Sequence, residues 1–471
     1  MRIKFCGAAQ TVTGSSHLLT LNNGYTILLD CGLYQGIEDQ FEDFNESWQF
    51  KPSEIDCVIL SHAHIDHSGR LPKLVKDGFS GDIYSTGATR DLCAIMLMDS
   101  AYIQVRDAEF VNKRKAERNN GKTNTPLYTP KDVAPCINAF TTFGYGKWHE
   151  IAEGVELLFR DSGHILGSAS VTLRIKKNEY KTVSFGFTGD IGRPERPILR
   201  DPDPMPKCDY LICESTYGGR SHQSHPDEKA KLLRIIRETC IEKGGKLLIP
   251  AFSVGRTQEI VYILDQLENE GKLPKIPVYV DSPLAINATD IFQWHPECFD
   301  EEILSYMIED PNPFGFKDLH YIRPVARSKK LNESNEPCII ISASGMITAG
   351  RIKHHVLNNI ENPKTTILIV GYAPPHTIGG QLRAGAESVK IFGALKKVNA
   401  TIEVMDSFSA HGDQNEMLDY LDNQDRQQLK QIFLVHGDYK RQKTFKGALK
   451  EAGFNKIMIP RLKDEFHFEE N

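Results

Sequence analysis

The chain has 471 residues, 40% of them hydrophobic and 25% charged. That length exceeds what one hydrophobic core supports, so two domains are expected, and the composition excludes a disordered or fibrous protein. A net charge of −6 and a pI near 6.3 argue against a general nucleic-acid coat, whose binding rests on phosphate neutralisation, but leave room for an enzyme that grips phosphates locally.

The start, MRIKFCGAAQTVTGSS, is basic and then small, yet its apolar stretch is short and broken by Gln10 and Thr11, so it reads as a strand and not as a signal peptide. Short strands follow in SSHLLTL, YTILLDCG and CVILSHAH. A helix is expected from Arg90 to about Arg118, and VELLFRDSGHILGSASVTLRI and KTVSFGFTGDIG read as paired strands with loops at their ends. PERPILRDPDPMPKCD, residues 194–209, reads as a surface crossover. From about residue 219 strands alternate with helices: DEKAKLLRIIRETCIEKG, KLLIPAF, RTQEIVYILDQLENEG, PVYVDSP, PCIIISAS, RIKHHVLNNIEN and TTILIVG. Such alternation implies βαβ units and a parallel sheet. Around 395–405 the texture returns to short strands (ATIEVMDSF, QIFLVHGD, KIMIP). The economical organisation is an α/β domain inserted into a β-rich domain. No apolar run approaches the roughly 20 residues of a membrane span. The ten cysteines form no C-x-x-C pair and several sit in apolar runs, which favours a reducing cytoplasm.

SHAHIDHSGRLP, directly behind the apolar run CVIL, packs His62, His64, Asp66 and His67 into six positions. Imidazoles and a carboxylate that close in a loop can converge on one cation; the donor types suit zinc, with manganese or iron as alternatives. Other apolar runs also end in titratable groups: Asp30, His164, Asp190, Glu214, His411 and His436. Singly, each is more often a cap or a satisfied core polar group than a ligand.

H-x-H-x-D-H after an apolar strand resembles the signature of the metallo-β-lactamase fold. With LLDCG, SGHILGS, FTGDIGR, ESTYG, PAFSVGRTQE, SASGM, FSAHGD and LVHGD the whole chain resembles the β-CASP family of metallo-β-lactamase-fold ribonucleases. The resemblance implies an αββα sandwich over 1–215 and 397–471, with an inserted β-CASP α/β domain over 216–396. It implies two zinc ions, manganese being the alternative: one held by His62, His64 and His164, the other by Asp66, His67 and His436, with Asp190 bridging. Asp30 would accept the outer N–H of a ligand histidine. A hydroxide shared by the two ions would attack a phosphodiester, and His411, held by Glu214, would protonate the leaving 3′ oxygen. The implied activity is endonucleolytic cleavage of single-stranded RNA, in the cytoplasm, by an enzyme without a membrane partner and of homodimeric form. The alternatives are a 5′-to-3′ exoribonuclease, a hydrolase for DNA or smaller phosphoesters, and a non-catalytic RNA-binding scaffold.

In the insert, SVGR and SASGMITAGR combine glycines and hydroxyl residues at strand-to-helix turns, where backbone N–H groups approach an anion. Ser253, Arg256, Ser342, Ser344, Gly345 and Arg351 are therefore candidate phosphate contacts, with a tight turn under a helix as the plainer reading. Residues 215–395 carry 20 Lys and Arg against 21 Asp and Glu, so binding is expected from a local groove and the two ions rather than from a broad basic surface.

Overall fold

The computed structural model describes residues 1–35, 42–117, 123–178, 180–222, 227–371, 373–405 and 410–468. The chain divides into two compact units, Met1–Ser221 with His411–Asn471, and His222–Ala410.

In the first unit two seven-stranded sheets form a sandwich. One runs in the order Glu465–His467, Arg2–Phe5, His17–Thr20, Thr26–Leu29, Cys57–Ile59, Asp82–Ser85 and Phe140–Thr142. The other runs Ile457–Met458, Gln431–Leu434, Tyr210–Cys213, Lys181–Phe187, Ala169–Asn178, Val155–Asp161 and Trp148–Ala152. Alternation along the strands builds the core: Ile3, Phe5, Leu19, Ile27 and Leu29 from one sheet meet Leu157, Phe159, Val171, Phe185 and Ile212 from the other. The second sheet's outer face, with Leu211, Cys213, Ile432 and Leu434, is covered by Met417 and Leu421 of the helix Gln414–Leu421 and by Phe445 and Leu449 of the helix Tyr439–Glu451. The helix expected from Arg90 begins earlier and spans Gly87–Glu117; Arg118 lies outside the described residues.

Direction matters more for function than strand count. Thr26–Leu29 and Cys57–Ile59 are parallel, with Leu29 opposite Ile59. In the other sheet Phe187 pairs with Ile212 and Cys213 with Leu434, again in parallel. Parallel neighbours end together, so the segments leaving Leu29 and Ile59 emerge side by side, as do those leaving Phe187, Cys213 and Leu434. Loops at such carboxyl ends are where open α/β sheets gather ligands.

The second unit is built on a six-stranded, wholly parallel sheet: Leu319–Tyr321, Val278–Val280, Cys338–Ser342, Lys246–Pro250, Thr366–Val370 and Thr401–Met405. Leu248, Ile340, Ile367 and Ile369 pack under Ile352, Val356 and Leu382 of the flanking helices. One sequence expectation changes here. Thr401–Met405, read as the return to the β-rich domain, is instead an edge strand of this sheet, paired with Thr366–Val370. Asp406–Phe408 of the same stretch lie outside the described residues.

Candidate metal centre and active site

Two of the strand-end residues hold left-handed backbone, Asp30 at φ +58° and His436 at φ +51°. Such conformations persist in non-glycine residues only where the surroundings fix them. The Asp30 N–H donates to the Ile59 carbonyl at 3.0 Å, and the His436 N–H to the Ala8 carbonyl at 2.8 Å. His64 caps the short helix Ile65–Ser68, and the Ser68 hydroxyl donates back to the carbonyls of Ala63 and His64. The four polar residues of the loop are thereby turned toward one point.

They meet the distant strand ends in two adjoining groups. In the first, His62 Nε2 and His164 Nε2 lie 3.1 and 3.2 Å from His64 Nδ1, and both lie near Asp190 Oδ2, at 3.6 and 3.5 Å. In the second, His67 Nε2 lies 3.1 Å from His436 Nε2, with Asp66 Oδ2 3.5 Å from the latter. Asp190 Oδ1 sits 3.4 Å from His67 Nε2. One carboxylate thus offers one oxygen to each group.

The outer ring nitrogens explain the inner ones. Asp30, fully buried, accepts from Ser15 Oγ, Ser61 Oγ and the Ser61 N–H, and His67 Nδ1 lies 2.6 Å from its Oδ2. Having given its only hydrogen to Asp30, the Ser61 hydroxyl must accept from His62 Nδ1 at 3.1 Å. Thr216 Oγ1 gives its hydrogen to the His436 carbonyl and accepts from His436 Nδ1 at 2.9 Å. His62, His67 and His436 therefore carry a proton on Nδ1 and present Nε2 to the two groups. Burial holds His62 and His164 well below the usual imidazole range and brings His64 down to about 4, which keeps them neutral. Asp190 Oδ1 is buried and has no hydrogen bond. Imidazole nitrogens converging on an unbonded carboxylate oxygen fit divalent cations, and the Asp190 and Asp30 carboxylates push His67 well above the usual imidazole range, drawing positive charge to the same place.

His411 forms a third group with Asp190 and Glu214. Its Nδ1 is 3.4 Å from Glu214 Oε1 and 3.9 Å from Asp190 Oδ2, and its ring stacks with Tyr217 at 5.9 Å. Burial would depress this imidazole, but the Glu214 and Asp190 carboxylates outweigh it and push it up to about 9. Glu214 has a second partner that the motif does not reveal: Oε1 accepts the Ile191 N–H at 2.6 Å. The strap Asp190–Arg193 is held from both sides. The Gly192 N–H donates to the Ser162 carbonyl at 2.7 Å, and the Gly412 N–H to the Ile191 carbonyl at 2.9 Å. A Cβ on Gly192 would run into the Gly163 carbonyl, next to His164. Beyond the strap, buried Arg193 pairs through Nε with Glu416 Oε1 at 3.2 Å, while Glu416 Oε2 accepts the Asp413 N–H at 2.7 Å. Thr216, Ser15, Ser61, Arg193 and Glu416 were not singled out by the sequence. The hydroxyl residues flank the motifs and carried a faint signal; the Arg193–Glu416 pair carried none. Phe408 and Ser409 of FSAHGD lie outside the described residues.

The candidate phosphate residues belong to the second unit and behave differently. Arg351 Nη1 donates to Asp281 Oδ1 at 2.6 Å and to the Ile322 carbonyl, and Nη2 donates to the Arg323 carbonyl at 2.6 Å. Arg256, buried, pairs with Glu259. Ser342 is buried and donates to the Asp281 carbonyl at 2.7 Å. Ser253 Oγ is 3.4 Å from Ser282 Oγ, Ser344 Oγ accepts the Thr348 N–H at 3.2 Å, and Gly345 abuts the Phe252 ring. Both guanidinium groups are thus matched to carboxylates, as largely buried cations must be.

Comparison with known proteins agrees with this architecture. A model of the metallo-beta-lactamase superfamily matches residues 10–239, a Beta-Casp domain model matches 257–382, and a model described as a Zn-dependent metallo-hydrolase RNA specificity domain matches 396–460. Ribonuclease TTHA0252 of Thermus thermophilus is 35% identical, with 93% of each chain covered. The transcription termination factor FttA of Methanocaldococcus jannaschii is 30% identical, covering 98% of this chain and 70% of its own; that of Methanosarcina mazei is 30% identical, covering 93% and 67%. A protein of unknown function from Enterococcus faecalis superposes with a TM-score of 0.53 over 99% of both chains at 10% identity, a likeness of fold alone. By its three matching domain models and a relative 35% identical over 93% of both chains, the chain belongs to the β-CASP family of the metallo-β-lactamase superfamily.

Proposed function

We propose that the protein is a two-metal phosphodiesterase that cuts single-stranded RNA internally. The observation that carries this reading is Asp190, whose two oxygens each face a separate group of imidazole nitrogens while His411 stands on the same carboxylate. His62, His64 and His164 would hold one zinc ion, Asp66, His67 and His436 the other, and Asp190 both, with manganese as the alternative metal. When bound, the two ions supply charge neutralisation for the phosphodiester's non-bridging oxygens and acidify the attacking water. A new bond forms from water oxygen to phosphorus as the P–O3′ bond breaks, giving a 5′ phosphate and a 3′ hydroxyl. With Nδ1 turned to the carboxylates, His411 delivers its Nε2 proton to the leaving oxygen, and Glu214 keeps the ring charged and aimed. The water's proton passes to solvent.

RNA as the substrate is supported by likeness to a protein named a ribonuclease over 93% of both chains. The test is matched single-stranded RNA and DNA, labelled at the 5′ end and internally, given to the wild type and to His411→Ala. Internal cuts in RNA, slowed by about 10²- to 10⁴-fold in the variant, are expected. Equal cutting of DNA overturns the substrate, release of single nucleotides from the 5′ end overturns the internal cut, and an undiminished variant overturns the acid.

A further inference from the structure

The helix Tyr439–Glu451 begins three residues after His436 and carries five cations, Lys440, Arg441, Lys443, Lys446 and Lys450, against one acid, Glu451. The helical turn of about 100° per residue sorts them. Gln442, Phe445 and Leu449 face inward and are buried. Arg441 is turned into the protein, where Nη1 donates to the Thr216 carbonyl at 3.0 Å and Nε pairs with Asp438 at 3.5 Å. The four lysines fall together in the outward sector, spanning roughly 120°. Tyr439 stands among them, 50% exposed, with the Lys443 ammonium 5.7 Å from its ring centre. Among the described residues, none of the four ammonium groups forms an ion pair.

Stability does not account for this face. Lys443, Lys446 and Lys450 follow one another at spacings of three and four, where like charges repel along a helix. Lys440 and Lys443 also sit near the N-terminus, where the helix dipole disfavours cations. On a chain of net charge −6 this is a local concentration of positive charge that only an anion offsets. From Lys440 to Lys450 the rise is about 15 Å, the length of about four stacked nucleotides at ~3.4 Å each. Only Gly437 and Asp438 separate His436 from Tyr439.

We propose that this face is a track for the phosphate backbone of the RNA strand flanking the scissile bond, with Tyr439 as a stacking platform for a base. Lysine as a point charge and an exposed ring together are how proteins hold a single strand without reading its sequence. The inference rests on the RNA reading above. Its test is a chain carrying Lys440→Gln, Lys443→Gln, Lys446→Gln and Lys450→Gln, beside one with arginine at the same four positions. Binding of a fluorescent RNA is followed by anisotropy across a salt series in the zinc-loaded His411→Ala background. Cleavage is followed with RNAs extended on the 5′ or the 3′ side of the cut and with one trimmed on both.

The glutamine chain is expected to bind an extended RNA about tenfold more weakly at low salt, and the slope of log affinity against log salt to shrink by about 2 to 3, near 0.7 for each phosphate that is no longer neutralised. The arginine chain should stay within about twofold of the parent, since charge and reach are kept. The trimmed RNA should be cut at unchanged kcat, with the KM penalty confined to one of the two extensions. Affinity and slope equal to the parent's for both extensions overturn the track. A change of oligomeric state at unchanged slope gives the face to a second copy of the chain and overturns it as well. A parent chain that neither binds nor cuts RNA sinks the functional reading itself, whereas one that does both while the glutamine chain matches it sinks the track alone.

Discussion

Asp30 collects donors from Ser15, Ser61 and His67 on one buried carboxylate, and through Ser61 it also sets the proton on His62. Which ring nitrogen carries a proton decides what each histidine does: His411 is raised by Glu214 and Asp190 and His67 by Asp190 and Asp30, while burial lowers His64. An imidazole at about 9 is charged at neutral pH, so the proposed acid would be present below that value and lost as pH rises through it. Glu214→Gln removes the first carboxylate that raises it. We expect the alkaline limb of the pH–rate profile to move down by about one unit or more, so that the loss of kcat is small at neutral pH and grows to about tenfold above pH 9. A limb that stays in place would show that Glu214 acts only through the Ile191 and Thr216 N–H groups that it accepts from. His17 is a second residue with a readable proton. It is fully buried between Phe5 and Phe187, both ring nitrogens lack hydrogen bonds, and burial brings it down to about 3. Its folded value lies below the unfolded one near 6.5, so the unfolded chain takes up the proton first as pH falls, and stability is lost from about 6.5 downward. At pH 5 the cost is about 2 kcal/mol. His17→Phe should therefore lessen the drop in urea midpoint between pH 8 and pH 5, and an equal drop in both chains would refute this.

At the scale of elements the site depends on loops pressed backbone to backbone: the His164 loop against Gly192, and the His411 loop against Ile191. Arg193 and Glu416 brace that stack through their own ion pair and the Asp413 N–H. Arg193→Ala should lower kcat by about tenfold through misplacement of His411, leaving KM and bound zinc close to the parent's. Arg193→Lys should recover part of the loss. A parallel fall in zinc content would mean that the pair supports the metal groups and not the acid. Sequence could not reveal this pair, because its members are 223 residues apart and each is an ordinary surface type. The residues that the structure gathers into candidate metal groups stood out for the opposite reason: imidazoles and carboxylates that end apolar strands beside glycine have few other uses in such numbers. Thr401–Met405 was misread because an edge strand of a parallel sheet, only half-buried over most of its length, has the same short apolar texture as a strand of the sandwich. Arginines beside glycine and serine likewise suggested anion contacts. The carboxylate that Arg351 serves, Asp281, lies 70 residues earlier and fully buried, beyond what local composition can report.

Over the whole molecule, the centre draws donors from positions as far apart as His62 and His436, so the ions would act as cross-links within the first unit, from which all donors to these groups come among the described residues. A cation that binds only the folded form stabilises it by RT ln(1 + [L]/Kd), about 3 to 4 kcal/mol at a hundred- to thousand-fold excess over Kd. Chelation should therefore lower one calorimetric transition by roughly 5 to 15 °C. A transition belonging to His222–Ala410 should hardly move. Stoichiometry separates the two groups further. Because Asp190 offers an oxygen to each, Asp190→Asn should weaken both and take zinc from about two per chain toward none, whereas His64→Ala, which touches only the first, should leave about one. The measurement is metal content after dialysis, set beside the chelator-sensitive transition of each variant. Equal losses in the two variants would mean that the ions bind only as a pair. A parent chain holding one ion would mean that one group, despite its converging imidazole nitrogens, is left to protons.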